Sequence, residues 1–111
     1  MSYNLNVLYT KPSPGLIDTR LTVDSTAGGV QFAAAFFSQD ASDGNAMPLV
    51  DLDVQDADVY CTFDGSAPTT SNGHLLKQNS AYTWSYARAM AAKFIRSAST
   101  DAHIQASPSA N

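Results

Sequence analysis

The sequence has no glutamate, a single cysteine and no long apolar run. The last two of these shortages each exclude a structural feature. A lone cysteine, Cys61, cannot form an intrachain disulfide, which favours a reducing compartment or assembly inside a cell before release. No run approaches the roughly 18 apolar residues of a transmembrane helix, so we expect no membrane partner. Residues 1–4 lack the basic start and the apolar centre of a signal peptide, and we expect none.

Basic residues are also scarce, because six Lys and Arg stand against ten aspartates and give a formal net charge of −4. Phosphates need a basic surface, so this balance argues against a nucleic-acid partner. The charge is uneven, with a net of −7 over residues 1–64 and +3 over residues 65–111. Opposed halves suit self-association or neighbouring copies in a lattice, unless the two signs interleave in the folded chain.

Short alternating segments separated by turn residues predict an all-β fold. The 111 residues fit a single domain, and strands at this spacing are typical of an antiparallel β-sandwich of jelly-roll type. The predicted strands are 20–23, 30–38, 49–54, 57–63, 80–86, 93–97 and 101–106, with at most one helical turn near residue 88. In residues 30–38 three alanines leave a short helix as the alternative, while the flanking glycines and three phenylalanines favour a strand.

These elements divide the chain into three parts. Residues 1–19 are predicted to form an extended N-terminal arm with a short strand at 6–9, because Pro12 and Pro14 break regular structure. Residues 20–106 form the sandwich, and residues 107–111 form a polar tail.

The most distinctive stretch is residues 62–76, which holds an Asp-Gly and an Asn-Gly dipeptide. Both dipeptides suit positions that need a positive φ, so they predict tight turns. We therefore expect a structural role for the turn residues Asp64, Gly65, Pro68, Asn72 and Gly73.

Candidate catalytic residues are few. A set of Cys61, His74 and Asp64 can be drawn, but nothing in the spacing brings the three together. Cys61 alternates with apolar residues, which predicts a small buried side chain rather than a nucleophile. His74 is expected in an exposed turn and His103 on a strand surface. We expect no catalytic site.

Four aspartates at 51, 53, 56 and 58 resemble a calcium loop at first sight. The EF-hand pattern needs glycine at its sixth position and glutamate at its twelfth, and this chain has Asp56 and Thr62 there. We therefore predict a solvated acidic edge, which also resists aggregation between sheet edges, and no metal or cofactor. A looser calcium site in a β loop is the alternative.

Tyr82, Trp84 and Tyr86 form an aromatic stripe on one side of a predicted strand. Trp and Tyr are common in cores and as anchors of protein interfaces, and we expect one of these roles. Ring stacking on a sugar is the alternative.

Two segments resemble a known family: Val59-Tyr-Cys-Thr-Phe-Asp-Gly-Ser-Ala-Pro-Thr-Thr-Ser-Asn-Gly-His-Leu-Leu and Ala91-Ala-Lys-Phe-Ile-Arg. A strand, Phe-Asp-Gly-Ser-x-Pro-Thr, Asn-Gly-His and a closing Ala-x-x-Phe-Ile-Arg strand are similar to a pattern in small virion proteins of tailed bacteriophages. In length and character the chain resembles the capsid decoration (cement or staple) proteins of phage epsilon-15 and its relatives. The Asp-Gly-Ser-x-Pro-Thr piece also resembles β-sandwich modules appended to carbohydrate enzymes.

The resemblance implies a non-enzymatic, jelly-roll-like protein on the outer capsid surface of a virion, assembled in the cytoplasm of the host bacterium. It implies a homodimer that bridges neighbouring subunits of the major capsid protein, and it carries over no catalytic residue. We expect the N-terminal arm to reach a neighbour through its apolar side chains, Leu5, Val7, Leu8 and Tyr9. The alternative function is a carbohydrate-binding module that uses the aromatic stripe.

Overall fold

The computed structural model describes residues 11–12, 17–39 and 49–110, which form two antiparallel sheets packed together. The all-β sandwich prediction is therefore confirmed. In chain order the elements are β1 Lys11–Pro12, β2 Thr19–Val23, α1 Ala34–Phe37, β3 Leu49–Gln55, β4 Val59–Thr62, β5 His74–Leu76, β6 Ala81–Ser85, α2 Tyr86–Ala91, β7 Lys93–Arg96 and β8 Ala102–Ala110.

The larger sheet is organised around β8. Strand β3 pairs with one side of β8 over seven residues and carries β6 on its own far side. The other side of β8 is shared, with β2 opposite residues 102–106 and β1 opposite residues 109–110. Alternation explains the orientation, because Ala102, Ile104 and Ala106 are buried while His103 and Gln105 face outward.

The smaller sheet has β4 in the middle, with β5 and β7 on its two sides. The loop after β2 covers the outer edge of β7. Val30 and Phe94 exchange both backbone hydrogen bonds at 2.8 Å, and Arg96 N donates to Asp24 O at 3.0 Å. This pairing joins the two sheets through one stretch of chain and leaves less of the β7 edge open to another strand.

The core lies between the sheets and is rich in aromatic rings. Phe94 has no exposed surface, and its ring lies 5.6 Å from Phe32 and 6.1 Å from Trp84, with which it stacks at 3°. Each fully buried large apolar side chain contributes about 1.5–3 kcal/mol to folding. Because Phe32 lies about sixty residues before Phe94 in the chain, the core depends on contacts between residues distant in sequence.

The prediction of a strand over residues 30–38 is wrong. Val30 forms an isolated bridge, and residues 34–37 form helix α1. Phe32, Phe36 and Phe37 are all buried in the same core. Adjacent residues of a strand point to opposite faces, so a strand would place one of Phe36 and Phe37 outside, and the helical turn buries both.

The boundaries of the domain also differ from the prediction. The last strand does not end at Ala106 but continues to Ala110, so residues 107–110 belong to the sheet rather than to a polar tail. Among the described residues neither β1 nor β2 pairs with Pro108. Proline has no backbone N–H, so it disturbs a sheet least at a position where one side of its strand has no partner strand to receive a hydrogen bond.

Of the residues predicted to form the arm, Lys11, Pro12 and Thr19 pair with β8 in the larger sheet. The predicted strand at 6–9 lies outside the described residues. Two smaller differences from the prediction concern β5 and α2. Strand β5 was not predicted, and α2 is slightly longer than one turn and begins at a cap in which Ser85 Oγ accepts from Arg88 N at 3.1 Å.

Candidate binding surfaces

The first half of the segment 62–76 is a turn built on Asp64. Its Oδ1 accepts hydrogen bonds from the Ser66 backbone N at 3.0 Å and from Ser66 Oγ at 2.6 Å. These hydrogen bonds hold the pKa of the Asp64 carboxyl below its usual 3.8, so the group is ionised at neutral pH. Gly65 follows with φ +90°, a value that favours glycine.

The second half of the segment folds back onto the small sheet. Thr69 and Asn72 exchange backbone hydrogen bonds of 2.9 and 3.2 Å, and Pro68 is fully buried. Gly73 passes so close to β4 that a Cβ there would lie 3.1 Å from Cys61 O. The structural role predicted for the five turn residues is consistent with this geometry, because each of them shapes or anchors the turn.

An open pocket of about 320 Å³ lies between the two halves, and we call it the turn pocket. It is lined by Thr62, Phe63, Asp64, Ser66, Asn72, Gly73 and His74. Phe63 is one of the lining residues. Its ring centroid lies 5.1 Å from that of Trp84, with the two rings nearly perpendicular at 83°, and the Arg88 guanidinium lies 4.5 Å from the Phe63 centroid. The His74 ring lies 5.6 Å from the Phe63 ring at 38°.

Cys61 is not poised for nucleophilic chemistry. The strand register places it opposite His74, but the thiol has no exposed surface. Burial raises the pKa of Cys61 to about 11, so almost no thiolate is present at neutral pH. The prediction of a small buried side chain is confirmed. His74 is exposed as expected, but it lies at the start of strand β5 rather than in a turn. His103 lies on the outer side of β8, as expected.

The acidic residues after position 50 bind neighbouring side chains. Asp51 accepts from Thr83, Asp53 from Gln55, Asp56 contacts His103 and Arg20, and Asp58 accepts from Lys77 and the Gln78 backbone. Across residues 11–12, 17–39 and 49–110, no three metal-ligating side chains form a group. Because each carboxylate meets different partners, the described geometry supports an acidic edge rather than a chelating loop.

These interactions predict how stability changes in acid. Hydrogen bonds lower the pKa of Asp24, Asp58 and Asp64 below 3.8, chiefly from Thr26, the Gln78 backbone and Ser66 respectively. Their contribution is complete above the unfolded pKa and is lost as pH falls through the lower folded pKa. We expect a level melting temperature from neutral pH to about pH 5 and a fall below about pH 4.

Thermal unfolding monitored by circular dichroism across this pH range tests the prediction. Asp58→Asn should reduce the difference between neutral and acidic melting temperatures, whereas Asp18→Asn, an equal change of charge away from these turns, should preserve it. A variant at Asp58 with the same acid response as the parent protein would contradict the assignment.

The aromatic stripe does not form a continuous exposed surface. Trp84 is only 8% exposed and belongs to the core, Tyr82 is half-buried beside it, and Tyr86 begins helix α2. The predicted core role is therefore confirmed for Trp84.

Two apolar surfaces were not predicted. On the outer face of the small sheet, Tyr60 pairs with both Leu75 and Ile95, and Leu75 is 45% exposed. Ile17, which precedes β2, and Met90 on helix α2 are also exposed, and each lies near residues of α1. The alternation in β4 already predicted that Tyr60 faces away from the side on which Val59 and Cys61 are buried. The row formed by Tyr60, Leu75 and Ile95, which we call the Tyr60 row, could not be predicted, because it depends on the register of all three strands.

Comparison with protein-family models, curated proteins and solved structures finds no match to this chain. The predicted interface residues Leu5, Val7, Leu8 and Tyr9 lie outside the described residues. Among the residues that the structure describes, no helix is long and apolar enough to span a membrane. Function is therefore inferred from the chain's own geometry and from the resemblance of its motifs.

Proposed function

We propose that this chain is a non-enzymatic structural protein of a phage virion that binds the outside of the capsid and bridges neighbouring major capsid subunits. One observation carries the proposal. The two separated segments that resemble phage decoration proteins, residues 59–76 and 91–96, supply all three strands of the smaller sheet. The resemblance therefore covers a complete structural unit rather than one turn.

The pairing within this unit is continuous. Val59 lies opposite Leu76 on one side and Arg96 on the other, and Cys61 lies opposite His74 and Phe94. The loop between β4 and β5 is held by its own hydrogen bonds and by the buried Pro68. The three strands and the loop between β4 and β5 thus form one hydrogen-bonded unit, which is suited to holding other subunits at a set distance.

Bridging would stabilise the shell by linkage. A protein that binds assembled subunits better than free subunits adds its binding free energy to the assembly. An interface of about 1,600 Å² suffices for stable association, and a homodimer that grips two points gains further through effective concentration. This mechanism needs no reactive group, in agreement with the buried, protonated Cys61.

The arm is the first candidate for contact with a neighbour. The antiparallel register of β1 means that the chain enters it at the end of the sheet where β8 reaches Ala110. Ten extended residues span at most about 33–36 Å. From that end of the sheet, Leu5, Val7, Leu8 and Tyr9 can reach a subunit beyond the domain, while the Tyr60 row offers a second apolar contact.

Stacking of a sugar on the aromatic stripe has less support. It requires an accessible indole face, and Trp84 is 8% exposed and already stacked on Phe94. The observation favours a core role for this residue and leaves the structural function as the better explanation of the stripe.

Deletion of residues 1–10 tests the proposal while preserving β1. The intact protein should sediment with undecorated phage heads, and the truncated domain should fold but bind them at least about tenfold more weakly, a loss of about 1.4 kcal/mol. Deleting residues 1–14 would also remove the pairing of Lys11 and Pro12 with β8 and confuse folding with binding.

Two full-length variants sharpen the experiment. Changing the four apolar arm residues to serine should reproduce the loss, whereas changing Asn4 and Asn6 to serine should leave binding intact. Unchanged saturation of heads by the truncated protein would refute the role of the arm. Failure of the intact protein to sediment with heads, alongside a positive glycan array, would refute the capsid function itself.

A further inference from the structure

The turn pocket is lined by several polar side chains. We propose that it binds a neutral, polyhydroxylated ligand, such as one monosaccharide unit of a glycan. This binding site is separate from the capsid contacts proposed above and from the buried Trp84, and nothing in it depends on the capsid role.

The charge in the pocket selects against anions. Asp64 carries a negative charge at neutral pH and repels an anionic ligand. Arg88 is not among the lining residues, and its guanidinium lies over the Phe63 ring, 4.5 Å from the centroid. A neutral ligand avoids the repulsion by Asp64.

The polar groups match hydroxyls, which both donate and accept. Asp64 and the side-chain oxygen of Asn72 are acceptors, and the His74 ring contributes its nitrogens. Adjacent hydroxyls on one ligand can therefore be satisfied by different side chains. The Phe63 ring, whose centroid lies 5.6 Å from that of the His74 ring, is the apolar part of the lining and can contact the C–H groups of a sugar.

The size and order of the pocket also fit a single small unit. Its volume of about 320 Å³ lies at the lower end of small-molecule sites. Ser66 holds Asp64, and the Asn72 amide donates to Ser66 Oγ and Ala67 O, both at 3.4 Å. Because these side chains are already ordered by the turn, binding costs less conformational entropy than it would in a mobile loop.

Glucose and the anionic glucuronate differ mainly in charge and make a matched pair of probes. Galactose and N-acetylglucosamine add two further neutral probes. Amide chemical shifts of the ¹⁵N-labelled full chain, followed during titration, should change around residues 62–74 with at least one neutral sugar. Glucuronate should bind at least about tenfold more weakly than glucose.

Two variants locate the site, and a third serves as the control. His74→Ala removes an exposed ring, and Asp64→Asn keeps an oxygen for the Ser66 hydrogen bonds while removing the charge. Each should weaken binding of the neutral sugar by about tenfold or more, with dispersed spectra showing that the fold is intact. His103→Ala, on the larger sheet, should bind as the parent does.

Three results would overturn the proposal: no shift with any neutral sugar, binding of glucuronate as tight as that of glucose, or unchanged affinity in both pocket variants. Sedimentation of His74→Ala with phage heads should equal that of the parent, so the outcome for this pocket can be distinguished from the outcome for the capsid function.

Discussion

Replacing Trp84 with alanine should destabilise the protein by about 3–5 kcal/mol, the usual cost of removing a large aromatic side chain from a core. Trp84 is 8% exposed, stacks on Phe94 and makes a perpendicular ring contact with Phe63. A cavity at this position would remove contacts with both sheets, because Trp84 lies on β6 and Phe94 on β7. Urea denaturation, with the midpoint and slope fitted together, measures the change.

Tyr82 provides a matched control on the same strand. It is half-buried and lies 6.0 Å from Trp84, so Tyr82→Ala should cost clearly less than Trp84→Ala. If Trp84→Ala unfolded at nearly the parental urea concentration while losing affinity for sugars on a glycan array, Trp84 would be a binding residue and its assignment to the core would be wrong.

The strands that could be predicted are those in which alternation continues without interruption. In β3 every second residue is buried, so the pattern of Leu49 to Gln55 is visible in the sequence alone. The segment around α1 lacks this regularity. Phe36 and Phe37 are adjacent and both buried, and a local pattern cannot show that one core takes both rings.

The end of β8 shows a second limit. The residues Ser107 and Pro108 are typical of a loop, yet β3 pairs with both of them and extends the strand to Ala110. The partner strand decides the outcome, and its register is a property of the whole sheet. The polar residues after Ala106 therefore predict a tail, although residues 107–110 continue strand β8.

The turn pocket illustrates what sequence can supply for a site. The dipeptides at Asp64 and Asn72 predicted two turns, and both glycines that follow have positive φ. The sequence could not place His74 beside Phe63, because that contact arises from the pairing of β5 with β4. Residue types were therefore predictable, and their convergence on one pocket was not.

The adjacent glycines 28 and 29 allow the contact between the first loop and the turn segment to be measured. Gly28 has φ +90° with no atom within 4 Å of an added Cβ, and Gly29 has φ +85° with Pro68 Cγ and Cδ at 2.9 Å from one. Gly28→Ala should cost about 1–2 kcal/mol through backbone strain alone. Gly29→Ala adds overpacking of about 1–3 kcal/mol, so its total is about 2–5 kcal/mol.

A double-mutant cycle separates the contact from the strain. Pro68 is fully buried against Gly29, and Pro68→Ala removes both ring atoms that an added methyl group would meet. The Gly29→Ala and Pro68→Ala changes together should therefore cost less than the sum of the two single changes, whereas Gly28→Ala with Pro68→Ala should be additive. Equal losses for the two glycine variants, or additivity in both cycles, would mean that the turn segment does not rest on this loop. Since Pro68 anchors the turn that shapes the pocket, the same cycle also tests whether the rigidity of the smaller sheet depends on a contact made about forty residues away in the chain.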